Sequence, residues 1–120
     1  MNCPFCSNIE PVLQNDLSIA FYDIYPVNKG HLLIIPKRHV EQYFDLTIEE
    51  RQAIDSLLFE GNALLDKKHK PDGYNIGINN GEVAGQTIFH VHVHLIPRYK
   101  GDMKDPRGGV RGVIPDKRTY

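Results

Sequence analysis

Apolar and polar residues alternate along this chain in two rhythms. From Ser18 to Tyr25 (S-I-A-F-Y-D-I-Y) the run is rich in aromatic and β-branched residues and predicts a strand. Pro26 to Gly30 is turn chemistry, and His31 to Ile35 (H-L-L-I-I) predicts a second, almost wholly apolar strand ended by Pro36. So short a loop between them predicts an antiparallel pair. The rhythm then changes. Ile54, Leu57, Leu58, Gly61, Leu64 and Leu65 recur at three- and four-residue steps, which marks one face of a helix. Thr47 and Glu50 form a capping box, so this helix is expected to start at Thr47 and run to about Lys68. The turn Pro71-Asp72-Gly73 leads into a third strand, Tyr74 to Ile78. After a loop over 79–85, Thr87 to Ile96 is the longest strand expected, ended by Pro97. Met1 to Gln14 and the glycine-rich tail from Tyr99 to Tyr120 show neither rhythm and are expected to be irregular. Strands, one long helix and further strands define an α+β fold with a mainly antiparallel sheet. With 120 residues and no internal repeat, it is read as one domain, 1–120, with an irregular arm from about 99.

Composition narrows the function more than the fold. Fourteen basic residues against fifteen acidic ones give a net charge of −1, which offers no field for a nucleic-acid polymer. No apolar run reaches the roughly 20 residues that cross a bilayer, and no signal-peptide core opens the chain. A small soluble cytoplasmic protein is expected, with neither a membrane nor a nucleic-acid polymer as partner. Cys3 and Cys6 are the only cysteines, spaced as C-P-F-C. In a reducing compartment a structural disulfide is not expected, which leaves a redox pair, half of a metal site, or plain reduced thiols. A thioredoxin-like pair would follow a strand, and nothing precedes this one to form it. Half of a zinc site needs two further ligands, and histidine is the plentiful donor.

The segment that carries chemistry is His90-Val91-His92-Val93-His94. In a strand the three imidazoles share one face and the two valines the other. Successive histidines then have Cα atoms roughly 6.6–6.8 Å apart, whereas two nitrogens on one zinc ion lie only about 3 Å apart. One ion held by all three would be strained, so the row implies divided labour. A solvent-facing strand gains nothing from so many groups that titrate near neutrality. Upstream, the run from Asn79 to Thr87 sets two glycines among amide and hydroxyl side chains. Such a loop can bring backbone N–H groups to an anion, although a hairpin turn explains the glycines equally well. There is no P-loop pattern.

These residues resemble a known family. The run G-Q-T-I-F-H-V-H-V-H-L-I-P-R is similar to the signature of the histidine triad (HIT) family of nucleotide hydrolases and transferases, His-φ-His-φ-His-φ-φ with φ apolar. Ser18 to Asp23, Gly30 to His39 and the Leu46-Thr47 helix start resemble the family's first half, so the likeness runs from about Cys3 to Arg98. It implies an α+β protomer whose sheet continues across a homodimer. It also implies that His92 is the nucleophile at the α-phosphorus of a purine nucleotide, through a nucleotidyl-histidine intermediate. His90 and His94 match the flanking members and His31 a fourth catalytic histidine. Asp23 matches the residue that holds the ribose, while Asn79, Gln86 and Thr87 match contacts to the phosphates and the leaving oxygen. Family members with an N-terminal C-x-x-C bind zinc, and the matching ligands here are Cys3, Cys6, His39 and His90, a closed and therefore structural set. His69 matches nothing and is expected at the surface.

The signature and the following Pro97-Arg98 favour the dinucleoside polyphosphate hydrolases. Asp23-Ile24 and Ile35-Pro36-Lys37 equally resemble the purine nucleoside phosphoramidases. The longer uridylyltransferases, which replace the third histidine, fit poorly. A non-catalytic nucleotide- or zinc-binding module is the competing class, and the intact triad with Asp23 and Thr87 speaks for the enzyme. A zinc-knuckle binder of nucleic acid is disfavoured by the missing basic stripe.

Overall fold

The computed structural model describes residues 3–120, so Met1 and Asn2 of the expected irregular start lie outside the described residues. Five strands form one antiparallel sheet: β1 (Leu13–Gln14), β2 (Ser18–Tyr22), β3 (Leu32–Pro36), β4 (Gly73–Ile78) and β5 (Val93–Arg98), in the order β1-β2-β3-β5-β4. A single long helix, α1 (Ile48–His69), connects β3 to β4. Its capping box is complete: Glu50 N–H donates to Thr47 Oγ1 at 3.0 Å and Thr47 N–H to Glu50 Oε1 at 2.9 Å. Lys70, in the left-handed region at φ 51°, ends it.

Residues of one parity on the strands face α1. Ala20, Ile34, Val91 and Val93 pack with Ile54 and Leu57, and Leu32 and Leu95 with Leu65. Gly61 marks the crossing, where an added Cβ would lie 3.1 Å from Leu32 Cδ1 and 3.2 Å from Leu95 Cδ2. The opposite parity, Phe21, Leu33 and Ile35, is covered by Phe5 and Ile9 of the N-terminal arm. His94 pairs across β3 with Leu33 and so belongs to this second face.

Several boundaries differ from those read in the sequence. β1 lies inside a stretch expected to be irregular; two residues without alternation leave no periodic signal. β2 stops at Tyr22 rather than Tyr25, because Asp23 Oδ1 accepts the N–H of Tyr25 at 2.9 Å and turns the chain. β5 starts at Val93, not Thr87. Its register would set Val91 opposite Pro36, which has no N–H, and the Pro36 carbonyl is taken by the His90 ring at 2.8 Å. At its far end β5 passes through Pro97, opposite Tyr74, to Arg98. The C-terminal arm contains two short 3-10 turns, Gly109–Val113 and Pro115–Lys117. Among the described residues, no helix is long and apolar enough to cross a membrane.

Candidate functional site

His92 sits just before β5, and its ring meets two others. The Phe5 ring lies 5.2 Å away at 79° and the His94 ring 5.1 Å away at 64°, centroid to centroid. Its Nδ1–H donates to the backbone carbonyl of His90 at 3.0 Å. That bond places the ring proton on Nδ1 and leaves Nε2 with its lone pair.

On one side of His92 lie His94, His31 and Asp23. His31 is buried, and its Nδ1 accepts the backbone N–H of Val27 at 3.0 Å. The proton of neutral His31 is therefore on Nε2, which stands 2.9 Å from His94 Nδ1. His94 must then carry its own proton on Nε2, available to a ligand. Burial pushes His31 below its ordinary value, with Asp23 acting in the opposite sense. Burial, followed by the neighbouring His92 and His31, pushes His94 down to about 4. Both rings are neutral near pH 7. Asp23 Oδ2 lies 3.6 Å from His31 Nε2, so backbone N–H and carboxylate hold His31 from two sides.

On the other side lie Cys3, Cys6, His39 and His90, whose ligand atoms all fall within 4.8 Å of one another. His90 Nδ1 is 3.4 Å from Cys3 Sγ and 3.6 Å from Cys6 Sγ, and His39 Nδ1 is 3.2 Å from Cys6 Sγ. Tetrahedral zinc, with Zn–S of about 2.3 Å and Zn–N of about 2.0 Å, requires S···N separations of about 3.5 Å. The donor set fits. The second neighbours agree with it: His90 Nε2–H donates to the Pro36 carbonyl at 2.8 Å, which turns the Nδ1 lone pair towards the thiols. His39 is held by its neighbours. Arg38 forms a two-pronged pair with Glu50 at 2.7 and 3.0 Å, and the Val40 carbonyl accepts Val91 N–H at 2.7 Å.

An open cavity of about 1060 Å³ runs from Asp23, His31 and His94 past Asn79 to the C-terminal arm at Met103, Val110 and Arg118. This volume is at the upper end of small-molecule sites, commonly about 300–1,000 Å³. His94 is in the lining, and His92, whose ring lies 5.1 Å from that of His94, is not. Asn79 is in the lining, and Thr87 is exposed in the loop above. Gln86, a phosphate contact in the sequence reading, is instead buried and committed. Its Oε1 accepts Gly81 N–H at 2.8 Å, and its Nε2 donates to the carbonyls of Glu41 and Ile88 at 2.7 and 3.2 Å. Both N–H groups are spent on holding the loop. His69, expected at the surface, is half-buried against Gly30 at the end of α1.

Two participants escape the sequence reading. Phe5, between the cysteines, touches His90 and His92; an aromatic inside a candidate metal knuckle is the one signal for it. The C-terminal arm becomes a cavity wall because Asp102 clasps three elements. It accepts from Arg98 at 2.8 Å through both oxygens, from Asn28 at 2.7 Å, and from Tyr99 N–H at 3.0 Å. Nothing in the apolar pattern announces this clasp.

The antiparallel sheet, the histidine row and the two flanking clusters together define the HIT-like class of domain. A HIT-domain family model matches residues 8–101, and the chain belongs to the histidine triad family of nucleotide hydrolases and transferases. An uncharacterised HIT-like protein of Methanocaldococcus jannaschii is 42% identical over 106 residues, spanning 83% of this chain and 81% of its own. Two relatives from Schizosaccharomyces pombe carry named activities. An adenosine 5'-monophosphoramidase is 36% identical over 82% of this chain and 75% of its own, and an asymmetrical bis(5'-nucleosyl)-tetraphosphatase is 40% identical over 74% of this chain and 49% of its own. Among solved structures, a HIT family protein of Bacillus anthracis superposes with a TM-score of 0.79 at 41% identity, over 84% of this chain and 76% of that one. A zinc-bound histidine triad protein of Mycobacterium smegmatis gives 0.76 at 30% identity, over 87% and 80%.

Proposed function

We propose that this chain hydrolyses a purine nucleotide at its α-phosphorus through a covalent adduct on His92, with a dinucleoside polyphosphate or a nucleoside phosphoramidate as substrate. The observation that carries this reading is the bond from His92 Nδ1–H to the His90 carbonyl, which leaves the Nε2 lone pair free for attack on a ring that adjoins the cavity-lining His94. In the first step Nε2 forms a bond to phosphorus and the bond to the leaving group breaks. The ring becomes cationic as it does so, and the His90 carbonyl stabilises its Nδ1–H. His94 Nε2–H, set by the His31 contact, serves the phosphoryl or leaving-group oxygen. In the second step water attacks phosphorus and gives up a proton to solvent, the Nε2–P bond breaks, and His92 leaves as a neutral imidazole.

Asp23 accepts the ribose hydroxyls, and Asn79 and Thr87 donate to the phosphates. Gln86 acts through the loop it holds. Cys3, Cys6, His39 and His90 would hold a zinc ion, and with four protein ligands that ion supplies structure rather than a reaction step. His90 thereby fixes the carbonyl on which His92 depends. A homodimer joined through exposed sheet edges, working in the cytoplasm, completes the reading.

His92→Ala tests it. Hydrolysis of diadenosine tetraphosphate and of adenosine phosphoramidate should fall by roughly a thousandfold or more, with nucleotide affinity preserved. Wild-type protein quenched during turnover should carry a nucleotidyl group on His92 in peptide mass spectra. A rate above about a tenth of wild type, a barrier change of only ~1.4 kcal/mol, would remove His92 from the nucleophile's role.

A further inference from the structure

Among the described residues the His92 ring makes one hydrogen bond, and that bond alone does not fix its plane. The carbonyl of His90 can accept from Nδ1–H over a broad range of directions. What restricts the ring is the pair of rings it meets at steep angles, His94 at 5.1 Å and 64° and Phe5 at 5.2 Å and 79°. His94 is itself held by His31 at 2.9 Å. Phe5 is held from behind, its ring meeting Phe21 of β2 edge-on at 5.4 Å and 65°, with His90 6.1 Å away at 78°. It is also tethered in sequence between Cys3 and Cys6, so its position is set by the same residues that gather around His39 and His90. The near-perpendicular contact with His92 is the favoured arrangement of two π systems.

We propose that Phe5 is a positioning residue for the nucleophile: its ring confines the His92 imidazole so that Nδ1–H stays on the His90 carbonyl and the Nε2 lone pair keeps one direction. Without that ring, the imidazole gains room to turn about its last side-chain torsion. A half-turn exchanges Nδ1 with Cδ2 and Nε2 with Cε1, so the carbonyl then meets a C–H and no longer selects which nitrogen carries the proton. Some of the population would present an N–H, or no nitrogen at all, to phosphorus. The inference rests on His92 being the attacking group only for its kinetic consequence; the confinement itself is a property of the free protein.

Phe5→Leu keeps an apolar side chain against Phe21 and removes the ring, and Phe5→Tyr restores it. Three quantities are measured on each variant: bound zinc, the nitrogen shifts of the His92 ring by NMR, and kcat and KM on adenosine phosphoramidate. In wild type the ring should show one tautomer, with the proton on Nδ1. Phe5→Leu should retain zinc, show mixed tautomers, and lose about tenfold in kcat with KM within twofold, and Phe5→Tyr should recover both signals. A single Nδ1–H tautomer in Phe5→Leu overturns the proposal whatever the rate. So does a rate loss that follows loss of zinc and returns when zinc is added, since Phe5 would then merely shape the knuckle. Mixed tautomers with an unchanged rate would uphold Phe5 as the confining residue and remove His92 as the attacking group, so the two readings fail separately.

Discussion

Two polar clusters flank His92, and each brings ligand-type atoms within 4.8 Å of one another: Cys3, Cys6, His39 and His90 on one side, Asp23, His31 and His94 on the other. Their difference lies one bond further out. In the cysteine cluster the Pro36 carbonyl takes the His90 Nε2 proton, so lone pairs converge on the space between the sulfurs. In the aspartate cluster the Val27 N–H takes the His31 Nδ1 lone pair, and a proton is driven into the space between the rings. The first can close around a cation; the second is already filled by hydrogen. Proximity of metal-binding atoms therefore decides little by itself, and the backbone donor or acceptor behind each ring decides what the cluster is for.

The sharpest way to break this contrast is to remove one side at a time. His94→Ala should lower kcat about a hundredfold, the usual weight of a positioned proton donor, while zinc content stays at the wild-type level. Loss of zinc with that substitution would mean that the clusters are one unit. The converse change, Cys3→Ser with Cys6→Ser, should remove zinc and lower the melting temperature, and reduce kcat by about tenfold because the His90 carbonyl loses its anchor. Metal analysis showing no zinc in wild type, with the double variant equally stable, would return both cysteines to ordinary thiols. Asp23→Ala should weaken ribonucleotides roughly three- to tenfold and leave deoxyribonucleotides unaffected, in line with the loss of one or two hydrogen bonds. Equal affinities for the two sugars before and after would place the ribose elsewhere.

The smallest effect concerns stability. His94 in the folded protein titrates at about 4, whereas the same ring in the unfolded chain titrates near 6.5. As pH falls through that interval the unfolded chain gains a proton that the folded one does not, so stability is complete above about 6.5 and is lost progressively towards 4. Urea midpoints of chelator-treated protein should decline over this window, and His94→Ala should flatten the slope. An unchanged slope would leave the decline to the other buried rings, His31 and His90, whose values are also lowered by burial.

Much of this contrast is legible in the residues. The period-two histidine row already argues against one ion held by all three, and the helix from its capping box to Lys68 is read to within a residue at its end. The cysteine cluster follows from the family likeness, since residues as far apart as Cys6 and His39 have no local signal that joins them. Other features are set by single backbone groups and leave no trace in composition. The Val27 N–H behind His31, the Asp23 turn that shortens β2, and the Pro36 carbonyl that ends the β3–β5 ladder are of this kind. Gln86 shows the limit of transferring a role by position: a family match cannot say whether an amide points at ligand or is consumed by its own loop.

The contact of Cys3 with His90 spans 87 positions of sequence. As the chain is made, Phe5 can meet Phe21 and Cys6 can meet His39 early, but Cys3 waits for the segment that opens the last strand. The entropy of closing so long a loop has to be offset by a sheet that is already formed. The seating of the N-terminal arm, and of Phe5, against His90 and His92 is thus set to come late. A chain with a fully hydrogen-bonded sheet but an undocked arm would look folded by most measures and still hold the His92 ring loosely, so competence for the proposed chemistry would lag behind folding itself.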